Sequence, residues 1–259
     1  MAFDGTAHLV FGASGGIGSE VCRQIVAGGG RVLLAGRNES ELNALSTALG
    51  QPVRIVDATN VDDAEACATA TLEQFGRLDG VANCVGSLLL KAAHATSVDE
   101  WNATIAANLT TAFAAVRAAA KGMRKPGPAG VSGGSVVLVS SAAGRAGLAN
   151  HEAIAAAKAG VIGLARSAAA SYASAGIRVN AVAPGLVKTP LTERIWSNAA
   201  SAAASEGMHA AGRLGEPSDV AAMITWLLDP ANSWATGEVF GVDGGLASVS
   251  APPRRRSSG

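Results

Sequence analysis

Residues 11–18, Phe-Gly-Ala-Ser-Gly-Gly-Ile-Gly, constrain the chain more than any other stretch. They follow the apolar run Ala7 to Val10 and open a helical pattern, so they read as strand, tight turn and helix. Glycine at 12, 16 and 18 removes the Cβ atoms that would block a left-handed turn, a close phosphate and helix-to-strand packing. The amides that head the helix, with Ser14 and Ile17 beside the glycines, then face an anion whose charge the helix dipole favours. A dinucleotide pyrophosphate is the expected guest; a plain βα turn without a ligand is the competing reading.

Beyond this turn, short apolar runs alternate with amphipathic stretches, the pattern of a parallel sheet covered by helices on both faces. Strands are expected at 7–11, 32–35, 53–56, 78–82, 135–140, 177–182 and 236–242, and helices at about 16–28, 39–49, 61–75, 98–122, 152–173 and 217–228. Caps and breakers such as Asn38, Gly76 and Pro217 bound them. The expectation is an α/β fold, a single-domain, doubly wound parallel sheet of about seven strands over residues 1–250. One long connection, 184–215, is rich in alanine and serine and reads as irregular, which makes about 186–214 a candidate substrate lid.

Composition excludes several classes of function. An apolar share of 49% over 259 residues supports a sizeable core. Twenty basic against 20 acidic residues leave no net field to recruit nucleic acid or an anionic membrane. Arg254 to Arg256 lie in a Pro/Ser/Gly stretch, 251–259, which reads as a flexible tail. Cys22, Cys67 and Cys84 are odd in number and widely spaced, matching neither a disulfide framework nor a metal cluster and implying a reducing cytoplasm. His8, His94 and His209 have no ligand-like spacing, so no metal is expected. Nowhere do about 18 uncharged apolar residues run together, and no basic leader precedes an apolar stretch.

With these residues in view, the chain resembles a short-chain dehydrogenase/reductase nearly end to end. Members open with Thr-Gly-x-x-x-Gly-x-Gly; Gly12, Gly16 and Gly18 match, and Phe11 stands in the threonine place. Asp57-Ala58-Thr59 resembles the family's adenine-edge Asp-x-Thr, and Asp79 resembles the aspartate before the fourth strand. Asn83-Cys84-Val85-Gly86 is similar to Asn-Asn-Ala-Gly, with two positions changed. Asn108 and Ser141 fall where the active-site asparagine and serine belong. Arg178 to Gly185, with Val187 and Thr189, resembles the segment that holds the nicotinamide carboxamide, Pro184 and Gly185 included. Gly237 and Val242-Asp243-Gly244-Gly245 resemble the last strand and its turn. The resemblance implies a Rossmann-like fold, a nicotinamide cofactor, a small-molecule substrate and pairing through the long helices into dimers or tetramers.

Cofactor preference can be argued from the end of the second strand. An aspartate there would hold a free ribose 2′-hydroxyl and repel a 2′-phosphate. That place holds Gly36, followed by Arg37, whose guanidinium fork suits a phosphate. NADP(H) is therefore expected over NAD(H), unless Arg37 merely pairs with Glu39.

The largest departure from the family lies in its Tyr-x-x-x-Lys motif. Counting four back from Lys158 lands on Ile154, thirteen residues after Ser141, so the register is intact and the proton donor is missing. His151, seven residues before Lys158, shares its helical azimuth one turn early and is a candidate acid. Its side chain leans toward the helix start, and capping is its alternative role. Glu152 lies off that face and reads first as a capping residue. Three functions stay open: a carbonyl or alcohol oxidoreductase with a substitute acid, a double-bond reductase or isomerase in which solvent protonates a carbanion, and a cofactor-binding protein without turnover.

Overall fold

The computed structural model describes residues 2–250; the Arg254–Arg256 run lies outside them. Seven strands, β1 (Ala7–Phe11), β2 (Arg31–Gly36), β3 (Val53–Ile55), β4 (Gly80–Asn83), β5 (Gly134–Val139), β6 (Ile177–Pro184) and β7 (Val239–Val242), form one sheet in the order β3-β2-β1-β4-β5-β6-β7. Every neighbouring pair is parallel. Strand order reverses between β1 and β4, and the crevice at the carboxyl ends of these two strands is where such sheets bind ligands.

Both faces of the sheet are covered. Leu9 and Phe11 point into a core shared with α3 (Val61–Phe75), α5 (Thr111–Met123) and α6 (Glu152–Tyr172). Val10, between them, points into the opposite core against α1 (Gly16–Ala27), α2 (Glu39–Leu49) and α9 (Pro217–Leu228). This two-residue alternation inside an unbroken apolar run is what a strand buried on both faces requires. Local signals set the helix ends. The Asn38 side chain accepts from Glu41 N at the start of α2, Asn60 accepts from Asp62 N and Asp63 N at the start of α3, and Gly50 and Gly76 end these two helices in the left-handed conformation. α6 is long and apolar enough to cross a bilayer, yet in this fold it packs against β6 and α5.

The structure differs from the sequence expectation in four places. β4 begins at Gly80 because Asp79 is spent tying the sheet edge: its carboxylate accepts from Ala7 N at 2.8 Å and pairs with Arg77. β7 begins at Val239 because Gly237, at φ 76°, turns the chain first. The helix expected over 98–122 is α4 (Val98–Ile105) and α5 separated by a π-helical turn, Ala106–Thr110. The stretch 184–215 is not irregular: it holds a 3₁₀ turn at Pro190–Thr192, α7 (Glu193–Trp196) and α8 (Ala199–Met208), and a bridge between Val187 and Gly215 closes its base. Its low-moment, alanine-rich pattern carries little amphipathic signal, so periodicity could not reveal these helices.

At the amino-terminal end of the sheet, His8 is fully buried on β1. Thr6 Oγ1 donates to Phe3 O and so accepts from His8 Nε2 at 2.9 Å, while Nδ1 is left without a partner. Burial lowers its pKa from 6.5 to about 4, opposed by the Asp79 carboxylate and aided by Arg77. A ring held neutral in the fold and free to protonate when unfolded contributes stability in full above pH 6.5, and that contribution is lost as pH falls through about 4. The shift corresponds to about 3 kcal/mol. Denaturant unfolding between pH 7 and 4 should therefore show a steeper loss for the wild type than for His8→Leu; parallel profiles would refute this assignment.

Candidate active site

The turn from β1 to α1 lies against the chain leaving β4. A Cβ on Gly12, which sits at φ 72°, would come within 2.9 Å of Cys84 C and Val85 N, and one on Gly18 would overlap Gly12 O. α1 starts at Gly15 without a side-chain cap and has no acidic residue in its first turn. Its leading amides are therefore available to an anion, which fits a dinucleotide pyrophosphate. Ile17 faces the adjoining cavity. Across the cleft, Thr189 lies over the turn, its Cγ2 within 2.7 Å of where a Gly16 Cβ would stand.

Three polar side chains converge beside this cleft. Asn108 occupies the π turn: its Nδ2 donates to Thr104 O and to Ser87 Oγ, both at 2.9 Å, and its Oδ1 accepts from Ser87 N. The side-chain donor to Thr104 O compensates for the widened backbone ladder, and such turns recur at functional sites. Lys158 is buried on α6 and donates to Val139 O at 2.8 Å. Ser140 Oγ donates to Lys158 O at 2.8 Å, pinning α6 to the end of β5. Ser141 accepts from Ala143 N at 3.1 Å, which leaves its hydroxyl proton free to donate. Gly86 passes between Asn108 and Lys158: a Cβ there would stand 3.0 Å from Asn108 Oδ1 and 3.4 Å from Lys158 Nζ. Burial lowers the Lys158 pKa to about 8, against a smaller opposing effect of Cys84. Burial also pushes the Cys84 thiol up to about 12, so it stays protonated near neutrality.

A cavity of about 430 Å³ joins these groups to the 184–215 segment. Asn108, Ser141, Lys158 and His151 all line it, and Ile154 lines it as well. Asn150 is the one non-glycine residue at positive φ, 61°, among the described residues. It turns the chain into α6 so that His151, the residue before the helix, faces the cavity instead of leaning away from it. The His151 ring bonds Ala149 O through Nδ1 at 2.7 Å and makes no capping bond. Donation from Nδ1 to that carbonyl leaves Nε2 as the exchangeable site. Glu152 is exposed and does not line the cavity.

The remaining sequence candidates separate into two groups. Val85, Gly86, Pro184, Gly185, Val187 and Thr189 line the same cavity. Gly12, Ser14, Gly16, Gly18, Arg37, Asp57, Ala58 and Asn83 lie outside it, along the carboxyl ends of β1 to β4. Arg37 is exposed beyond β2 and forms no ion pair with Glu39; its charge instead acts on Asp57, whose carboxyl is held low mainly by the Thr59 backbone and hydroxyl. Asn83 is buried, bonding Thr111 Oγ1 and Val85 N. Sequence reasoning missed His209. Its Nδ1 donates to Ser205 O at 2.6 Å and its Nε2 accepts from Leu186 N at 3.2 Å, so it clamps the end of α8 onto the strand end. The ring fills the space a Gly185 Cβ would need, and the Pro184-Gly185 pair was the only signal of that close approach.

A doubly wound sheet with a bare glycine turn at its switch point, facing a serine, asparagine and lysine across one cavity, defines a nucleotide-dependent oxidoreductase architecture. A family profile described as Enoyl-(Acyl carrier protein) reductase matches residues 12–247. The 3-oxoacyl-[acyl-carrier-protein] reductase FabG of Vibrio harveyi is 34% identical over 255 residues, 96% of this chain and 100% of the relative. The galactitol 2-dehydrogenase (L-tagatose-forming) of Cereibacter sphaeroides is 35% identical over 93% of this chain and 95% of its own. Among solved structures, a short-chain type dehydrogenase/reductase from Mycobacterium ulcerans superposes with a TM-score of 0.87 at 32% identity, covering 97% of this chain and 93% of that one. ElxO with NADP bound superposes with a TM-score of 0.85 at 29% identity, covering 94% and 99%. The chain belongs to the short-chain dehydrogenase/reductase family.

The lowered Lys158 pKa is directly measurable. An NMR titration of lysine side-chain carbons in the free protein should reveal one lysine with a midpoint near 8, lost in Lys158→Met. A spectrum in which all lysines titrate near 10.4 would refute it.

Proposed function

We propose that this chain is an NADP(H)-dependent oxidoreductase acting on the carbonyl or alcohol of a small, largely apolar molecule, with His151 in place of the absent tyrosine as proton donor. The observation that carries this reading is the single cavity lined by Asn108, Ser141, Lys158 and His151 around the apolar Ile154. A protein that only bound the nucleotide would have no need of Ser141 and His151 in that cavity.

Bound cofactor supplies the hydride. Ser141 hydrogen-bonds the substrate carbonyl oxygen through its free hydroxyl and orients it without giving up the proton. The imidazolium form of His151 passes its Nε2 proton to that oxygen as negative charge develops there and is left as the neutral ring, with Nδ1–H still on Ala149 O. Lys158 adds positive charge to the same cavity and would hold the cofactor ribose, and its influence declines as pH rises through about 8. The amides at the head of α1 hold the pyrophosphate, and Arg37, with Gly36 leaving space beside it, holds a 2′-phosphate. Thr189 and the α7–α8 segment act as the lid, and self-association into dimers or tetramers uses the long helices, where Trp101 and Phe113 stand half exposed on α4 and α5.

The apolar cavity wall favours a second reading, reduction of an activated double bond, in which hydride addition leaves a carbanion that solvent protonates. The two readings divide on His151. Against a panel of carbonyl compounds, His151→Phe should lower kcat by about 10²-fold or more with NADPH affinity nearly unchanged. Turnover that survives this change, together with activity on enones, would establish the second reading.

Cofactor choice has its own test. Fluorescence titration should show NADPH binding several-fold more tightly than NADH, and Arg37→Ala should erase the difference, since a charge-assisted contact contributes about 1.5–3 kcal/mol. Equal affinities in the wild type would rule out the preference.

A further inference from the structure

The catalytic cavity continues outward. A second hollow of about 410 Å³ shares Leu88, Leu90, Leu191 and Ile195 with it and adds Leu89 and Arg194. One wall is the leucine run that follows β4; the other is the start of the 190–196 segment. Leu90 and Leu191 remain 45% and 53% exposed, an apolar slot open to solvent rather than part of a core. No aspartate or glutamate lines either hollow. Arg194 is the only charged group lining the outer one, is exposed, and its guanidinium forms no hydrogen bond or ion pair among the described residues. Its acidic neighbour in sequence, Glu193, lines neither hollow.

We infer that the outer hollow is a substrate subsite for an amphiphile: a carbonyl compound whose apolar body lies between Leu88–Leu90 and Leu191–Ile195 and whose far end carries an anion paired with Arg194. The inference rests on the proposed oxidoreductase function, since it places the reacting carbonyl at Ser141 and His151. The leucine slot accounts for the apolar body, because burying its exposed side chains against a hydrocarbon removes apolar surface from water. The guanidinium accounts for the anionic end, since its planar fork pairs carboxylates and phosphates in two-point contacts. With no carboxylate on either wall, nothing repels such a ligand along its length.

The test uses product-like probes and calorimetry on the NADPH-loaded protein: 1-decanol, decanoate and decyl phosphate. Because the pairing is at an exposed site, decanoate or decyl phosphate should bind about three- to tenfold more tightly than decanol. Whichever anion binds better identifies carboxylate or phosphate as the recognised end group. Arg194→Gln should reduce both anions to the affinity of decanol while leaving decanol unchanged, and Leu90→Asn should weaken all three. Equal binding of decanol and both anions to the wild type, an anion preference that persists in Arg194→Gln, or no binding of any probe would overturn the inference. If NADPH itself fails to bind the wild type, the proposed function fails instead, and the same series on the free protein still decides the subsite.

Discussion

The close approach of two backbones at the sheet's switch point is the contact on which the rest of the site depends. A Cβ on Gly12, in the turn after β1, would come within 2.9 Å of Cys84 C and Val85 N at the β4 exit, and Gly18 leaves no room for one beneath the same turn. That contact brings the head of α1 down onto the carboxyl ends of β1 and β4. It also fixes the course of residues 84–86, so that Gly86 passes between Asn108 and Lys158. A side chain at any of these glycines would separate the nucleotide turn from the polar cluster.

A second set of bonds holds the polar cluster in place. Ser140 to Lys158 O and Lys158 to Val139 O tie the end of β5 to α6, while Asn108 bonds Thr104 O within its own helical stretch and Ser87 in the loop after β4. Ile154, apolar and buried on α6, lines the same cavity as Lys158 and His151.

Much of the fold was legible because the signals were local. Alternating apolar runs and helical stretches placed all seven strands, with boundary errors at Leu78–Asp79 and Gly237 where an ion-paired aspartate and a left-handed glycine begin the strand late. Asn38, Gly76 and Pro217 announced helix ends because each acts within one turn of its own backbone. The alanine-rich 184–215 segment defeated the same reasoning, since small apolar residues carry almost no periodicity, and its helices are held by Val187–Gly215 pairing and by His209.

By itself the sequence determined the doubly wound sheet, the glycine turn, the family, and the register that puts Ile154 four residues before Lys158, because each of these follows from spacing along one strand or helix. Only the tertiary structure decided which distant side chains share a cavity. His209, from beyond α8, and Arg194 entered the site, Glu152 left it, and His151 turned inward through the left-handed Asn150. The lowered pKa of Lys158 was likewise invisible in the sequence, because desolvation depends on everything packed around the ammonium and not on the residue beside it in the chain.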